Sequence, residues 1–247
     1  MRNTITIASK EFRSYLTSPT AYIVICIFMF ASGVCFTGQL FGLLIFTDSY
    51  YSLYNETSIS GFLNYGSILL LLLASVLTMR LLAEERKLGT LELLITAPLR
   101  DSEVILGKFL GSLGILVVML VLTLYYPILL IIYGDPDIGP IVTGYIGLFL
   151  LGCTSLAVGI FASSLTSNQI VAAVVAVGIL LPLWFIGFAA QPATGAFGDV
   201  IGFFSLSHYF PDFMRGVVDT RAVIYYLSVT ALFLFLAIRS LENSRWS

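Results

Sequence analysis

MRLLAEERKLGTLELLITAPLRDSEVILGK, residues 79–108, joins two long apolar runs and carries ten charged side chains: Arg80, Glu84, Glu85, Arg86, Lys87, Glu92, Arg100, Asp101, Glu103 and Lys108, out of 26 in the whole chain. Charge gathered between two hydrophobic stretches marks a membrane protein with one loop that a soluble partner can grip. Gly89 is expected to stop the helix that leaves the first run, because glycine is a poor interior residue and a common terminator. Thr90 then serves as an N-cap and Glu92 sits in the first turn, where a carboxylate suits the helix dipole. Leu91, Leu93, Leu94 and Ile95 form a short apolar body, and Pro98 ends it. Residues 90–97 therefore read as about two turns of amphipathic helix lying flat at a membrane surface. Asp101 or Ser102 is expected to cap the next helix, with Glu103 in its first turn.

Working outward, composition fixes the class. The 247 residues are 58% hydrophobic and 11% charged, with a mean hydropathy of +0.99, whereas soluble domains carry roughly 25% charged residues. The expectation is a single all-α polytopic membrane domain over 1–247. A net charge of −2, without a basic patch outside the short loops, argues against nucleic acid as a partner. Cys26, Cys35 and Cys153 lie inside apolar runs and read as small buried hydrophobes. They form no paired loop cysteines and no zinc-ligand spacing. The first apolar run is too long and too far from the start for a cleaved signal peptide.

Six runs, at about 21–46, 62–83, 104–133, 141–162, 170–190 and 222–241, each reach the roughly 20 residues needed to cross hydrocarbon. The third is long enough to tilt or project. Ser163, Ser164, Thr166, Ser167, Asn168 and Gln169 form a tight polar turn between the fourth and fifth. Residues 1–19 precede the first run. There Ile5, Ala8, Phe12, Tyr15 and Leu16 recur at helical spacing among Arg2, Lys10, Glu11 and Arg13, as in an interfacial amphipathic helix. Two readings stand: a simple lead-in anchor, or an elbow helix that cooperates with residues 90–97 at the same surface.

Basic residues set the orientation. With the N-terminus inside, ten lie on the cytoplasmic side (Arg2, Lys10, Arg13, Arg80, Arg86, Lys87, Arg100, Lys108, Arg239 and Arg245), against Arg215 and Arg221 outside. Both termini and the 84–103 loop are thus expected in the cytoplasm, and the chain in the inner (plasma) membrane. The outer segments are acidic and aromatic. The longest, 191–221, contains an apolar patch from Val200 to Phe204 that suggests a short interfacial or re-entrant helix.

Chemistry-bearing motifs are sparse. Gly107-Lys108 does not complete a phosphate loop, because Ser102 and Phe109 stand where a glycine and a hydroxyl residue are required. His208, the sole histidine, reads as a hydrogen-bonded interfacial residue beside Tyr209 and Asp212. Thr154 and Ser155 lack a base to activate them. Once Lys108 and the terminal charges are set aside, no run has an ionisable residue near its centre, which counts against an ion-driven carrier. Gly107, Gly111 and Gly114 mark one face of the third run, for helix packing or, alternatively, a dimer seam.

Ala83-Glu84-Glu85-Arg86-Lys87-Leu88-Gly89-Thr90-Leu91-Glu92-Leu93-Leu94-Ile95-Thr96-Ala97-Pro98 resembles the cytoplasmic loop of ABC-2 type transporter permeases. Lys10-Glu11-Phe12-Arg13-Ser14-Tyr15 and Gly159 to Gln169 agree with it, and the resemblance runs to about residue 175. The branch it resembles contains the gliding-motility-associated permeases and the permease of nitrous-oxide-reductase maturation. The resemblance implies six membrane helices, a homo- or heterodimer of permeases, and a coupling helix after span two, seated on a separate ABC ATPase. It also implies a re-entrant outer segment between spans five and six and, in some relatives, an extracytoplasmic accessory subunit. Carried over, Glu84, Glu85, Gly89, Thr90, Glu92, Leu93, Leu94, Thr96 and Pro98 are the coupling positions, and Lys10, Glu11, Phe12 and Arg13 belong to the elbow helix.

The expected function is the membrane subunit of an ATP-driven complex, with no catalytic site, metal or cofactor of its own; ATP and Mg sit on the partner. The alternatives are an ATP-independent channel or secondary carrier, and a membrane anchor or assembly factor. The acidic, aromatic outer surface fits a lipid-like or polymeric cargo, an exported protein, or mechanical signalling.

Overall fold

A computed structural model describes residues 2–41, 59–89, 100–133, 136–190 and 202–243. These residues form ten helices and no strand: α1 (Arg2–Thr17), α2 (Pro19–Phe41), α3 (Ser60–Thr78), α4 (Ala83–Lys87), α5 (Asp101–Thr123), α6 (Tyr125–Tyr133), α7 (Ile138–Leu165), α8 (Gln169–Ala190), α9 (Phe210–Met214) and α10 (Thr220–Asn243). Six stretches are long and apolar enough to cross a membrane: Pro19–Thr37, Ser60–Lys87, Asp101–Tyr133, Ile138–Leu165, Gln169–Gly187 and Thr220–Asn243. They coincide with the six apolar runs. Each begins a few residues earlier than hydropathy alone indicates.

The bundle is built around α7, which packs against α3, α5, α8, α9 and α10. Its sequence explains why. Gly144, Gly147, Gly152 and Gly159 point to different neighbours, and a Cβ on Gly152 would lie 2.7 Å from the Leu116 methyls of α5. A helix apolar on all sides, with small residues distributed around it, belongs in the interior. By contrast, α2 and α8 leave most of their surface uncovered.

The long third stretch is not one straight helix. It breaks at Leu124, where Pro127 lacks the N–H that would donate to the Thr123 carbonyl and its ring crowds that carbonyl. The Tyr145 hydroxyl of α7 donates to Thr123 O instead, at 2.9 Å.

The second stretch also breaks, earlier than expected. Helix α3 ends at Thr78, residues 79–82 form turns, and the helix resumes only as α4. Gly89, at φ +69°, follows α4 and closes the stretch, as expected, but the helix it closes is the short α4 rather than one continuous with α3. Two further boundaries differ. Arg100, not Asp101 or Ser102, precedes α5, and its backbone N–H donates to the Glu103 carboxylate at 3.3 Å. Ser163 and Ser164 belong to the last turn of α7, so the polar turn shrinks to Thr166–Asn168. There Asn168 Oδ1 accepts from the Ile170 N–H at 3.0 Å and caps α8.

The packed face of α1 is rotated from the stripe read in the sequence. Thr4, Ile7, Ala8, Glu11, Phe12 and Tyr15 face inward, while Ile5 and Leu16 are exposed. The cause is the seat offered by α5. Added Cβ atoms on Gly107, Gly111 and Gly114 would lie 2.7, 2.6 and 2.7 Å from Ile7, Glu11 and Phe12. That stripe therefore holds the chain's own N-terminal helix, and a dimer seam on it is excluded.

Beyond α8, residues 202–215 pack back between α8 and α10. Leu206 N donates to Leu183 O at 2.9 Å, and Tyr226 Oη donates to Leu206 O at 2.7 Å. Of the apolar patch 200–204, Val200 and Ile201 lie outside the described residues. The His208 ring meets Tyr209 edge-on at 5.0 Å and makes no side-chain hydrogen bond among the described residues, contrary to expectation.

The Tyr145 bond should matter only while Pro127 is present. Tyr145→Phe is expected to cost about 1 kcal/mol of unfolding free energy. In a Pro127→Ala background most of that cost should vanish, because the new N–H takes the Thr123 carbonyl. A double-mutant cycle on thermal or denaturant unfolding measures it.

Candidate functional site

The charged residues of the two sequence motifs meet at the end of the bundle shared by α1, α4, the start of α5 and the end of α7. At its centre is Lys108, in the second turn of α5 and 2% exposed. Its Nζ donates to Glu11 Oε1 of α1 at 2.8 Å and to Glu85 Oε1 of α4 at 2.7 Å. An isolated buried ammonium is costly, and two carboxylates more than balance it. The carboxylates are the wetter partners, with side chains 17% and 26% exposed, although the Glu85 Oε2 atom is itself buried. In α4 itself, Glu84 and Glu85 occupy the first turn and Arg86 and Lys87 the last, the arrangement a helix dipole favours.

The break between α3 and α4 supplies the second half of the site. Leu81 N turns back to Thr78 O at 3.1 Å, leaving Leu77 O without its usual donor. The buried Tyr15 hydroxyl of α1 donates to it at 2.8 Å. Burial pushes the Tyr15 phenol well above its ordinary range, the Glu11 carboxylate adds to this, and Arg80 partly opposes it, so the donor proton is retained. The N–H groups of Leu82 and Ala83 both donate to Ser163 Oγ, at 3.1 and 3.0 Å, and that hydroxyl donates to Met79 O at 3.0 Å. One serine thus uses two lone pairs and its proton to close the gap in the helix ladder. Arg80, inside the break, donates from Nη2 to Ser18 Oγ at 2.7 Å and lies 5.7 Å from the Tyr15 ring centroid.

Between α1 and this break lies a cleft of about 430 Å³. Of the expected elbow residues, Lys10 is on its rim, Glu11 joins the Lys108 cluster, Phe12 packs over Gly114, and Arg13 is exposed on the outer face of α1. Of the expected coupling residues, Glu84 lines the cleft, Glu85 holds Lys108, and Gly89 ends α4. Thr90, Glu92, Leu93, Leu94, Thr96 and Pro98 lie outside the described residues. Lys108, Tyr15, Arg80 and Ser163 were not singled out as site residues. The signal for Lys108 in the sequence is a cation two turns into an apolar helix, beside a glycine stripe able to seat another helix.

Comparison with known families gives one finding: a family profile described as ABC-2 family transporter protein matches residues 5–198. That range takes in Glu11, Glu85, Lys108 and Ser163. No curated protein matches the chain.

Lys108→Met should destabilise the chain by about 3 kcal/mol, the low end for breaking a buried pair, because the Glu11 and Glu85 side chains are partly exposed. Adding Glu11→Gln and Glu85→Gln should recover most of the loss. Unfolding of the single, double and triple variants checks this. An additive, unrecovered cost would mean that Lys108 acts by packing alone.

Proposed function

The chain belongs to the ABC-2 family of transporter proteins, and from that premise we propose that it is the permease subunit that turns ATP hydrolysis by a separate ATPase into movement of its membrane helices. Permeases of this family generally work with an ABC ATPase. ATP and Mg are held by that partner, and residues 90–97 serve as the coupling segment that seats on it, with Pro98 at its end and Glu84, Glu85 and Gly89 as its stem. The basic residues favour both termini and this loop in the cytoplasm and the protein in the inner membrane.

The observation that carries the reading is the way the stem is fastened. Glu85 ties α4 to α5 and, through Lys108, to α1, while Ser163 ties the start of α4 to α7. A load applied to the loop that follows Gly89 therefore reaches α1, α3, α5 and α7 through polar contacts that hold direction. A solvated helix end would only fray. Helix α1 then serves as an elbow at the membrane interface, with exposed Ile5 and Leu16 available to the bilayer. Residues 191–221 act as the outer re-entrant element. In this reading the permease works as a homo- or heterodimer, rocking spans one, two and five, with an extracytoplasmic accessory subunit in some assemblies. Within the family, residues 83–98 favour the gliding-motility and nitrous-oxide-reductase-maturation branch. The acidic, aromatic outer segments favour a lipid-like or polymeric cargo, or a mechanical signal.

The test is co-purification of the full chain with its ATPase. Glu92→Arg and Leu94→Asp should each weaken capture and ATP-dependent activity by about tenfold, as for loss of a charged or apolar anchor. Full capture and activity in both variants would remove the coupling role from this loop.

A further inference from the structure

We propose that the cleft between α1 and the broken second span binds the headgroup of an aminophospholipid, its phosphate on Arg80 and its ammonium on Glu84. Depth is the first argument. Helix α3 has 19 residues, or about 28 Å at helical rise, close to the roughly 30 Å of a hydrocarbon core. Arg80 follows it by two residues, which places the guanidinium in the headgroup layer.

Charge is the second. Lys108 lines the cleft, but its ammonium is already held by Glu11 and Glu85. Arg80 is different. It spends one N–H on Ser18 Oγ and rests on the Tyr15 ring, and among the described residues no carboxylate lies within ion-pair distance of it. Its remaining donors form the planar fork that suits a phosphate, and the Ser14 hydroxyl lines the same cleft.

Glu84 completes the pattern. Its N–H donates to Arg80 O at 3.3 Å, which sets the two residues one turn apart. Both line the cleft, and their side chains do not pair with each other. Lys10, Arg80 and Lys108 balance Glu11, Glu84 and Glu85 around the wall, so a zwitterion fits where a polyanion would be repelled. Leu88, exposed at the mouth, offers an apolar edge to the glycerol end. None of this depends on ATPase coupling.

Native mass spectrometry of the full chain, titrated with phosphatidylethanolamine, phosphatidylcholine or phosphatidylglycerol, tests it. The wild type should hold one phosphatidylethanolamine about tenfold more tightly than phosphatidylcholine, whose methylated amine has no N–H for Glu84. Arg80→Ala should weaken both by about tenfold, with Arg80→Lys intermediate. Glu84→Gln, which leaves Arg80 and the fold in place, should erase the ethanolamine preference alone. Millimolar inorganic phosphate should displace nothing. The proposal is overturned by equal binding across wild type and Glu84→Gln, by displacement with inorganic phosphate, by preference for phosphatidylglycerol, or by Arg80 variants that keep the lipid, whatever their ATPase capture.

Discussion

Inside a bilayer every backbone N–H and C=O must find a partner within the protein, and this constraint governs where the chain can depart from regular helix. Two of its long apolar stretches do so, and both breaks are closed by hydroxyls. Tyr145 takes the carbonyl freed by Pro127. At the other end of the same helix, Ser163 takes the loose ends of residues 79–83. Helix α7 also donates from Thr143 to Phe213 O and from Thr154 to Tyr226 O. It therefore reaches backbone carbonyls of the second, third and sixth stretches and of the returning segment. Its central position follows as much from this hydroxyl set as from its glycines.

The ionic cluster obeys the same physics with larger stakes. Lys108 is buried because α1 lies across the start of α5, and α1 can lie there because three glycines leave room for Ile7, Glu11 and Phe12. Remove the glycine stripe and Glu11 no longer reaches the ammonium. Remove the ammonium and two carboxylates face each other across an apolar seat. Packing and charge are thus one arrangement, and together they hold α1, a helix outside the six apolar stretches, against the start of α5.

Much of this was legible in the sequence, unevenly. Six hydrophobic runs, the stop at Gly89 and the packing meaning of Gly107, Gly111 and Gly114 follow from composition and spacing, which local rules capture. The break at Met79-Arg80-Leu81-Leu82 does not. No proline or glycine marks it, and its cause is a serine 81 residues away from Leu82. The packed face of α1 differs from its apolar stripe for a related reason. Periodicity finds the apolar stripe, but α5 selected a face containing Glu11 and left Ile5 and Leu16 outside. Lys108 reads as a topology-setting end charge because its position and the neighbouring glycines point to burial but do not identify its partners, which lie 97 and 23 residues away. Tertiary partners decided each of these points.

Why the second span should break at all has a mechanical answer under the coupling reading. An unbroken helix running from Ser60 to Lys87 would carry a push along its own axis, into and through the membrane. With the ladder interrupted at 79–82, axial load cannot pass straight through. It is handed sideways, at Ser163 to α7 and at Lys108 to α5 and α1. Lateral transfer into the most enclosed helix would load the helices packed against it together, whereas axial transfer would only drag one helix against lipid. A break fastened on two sides is therefore better suited than a straight rod to converting a surface-applied stroke into a rearrangement of the whole bundle.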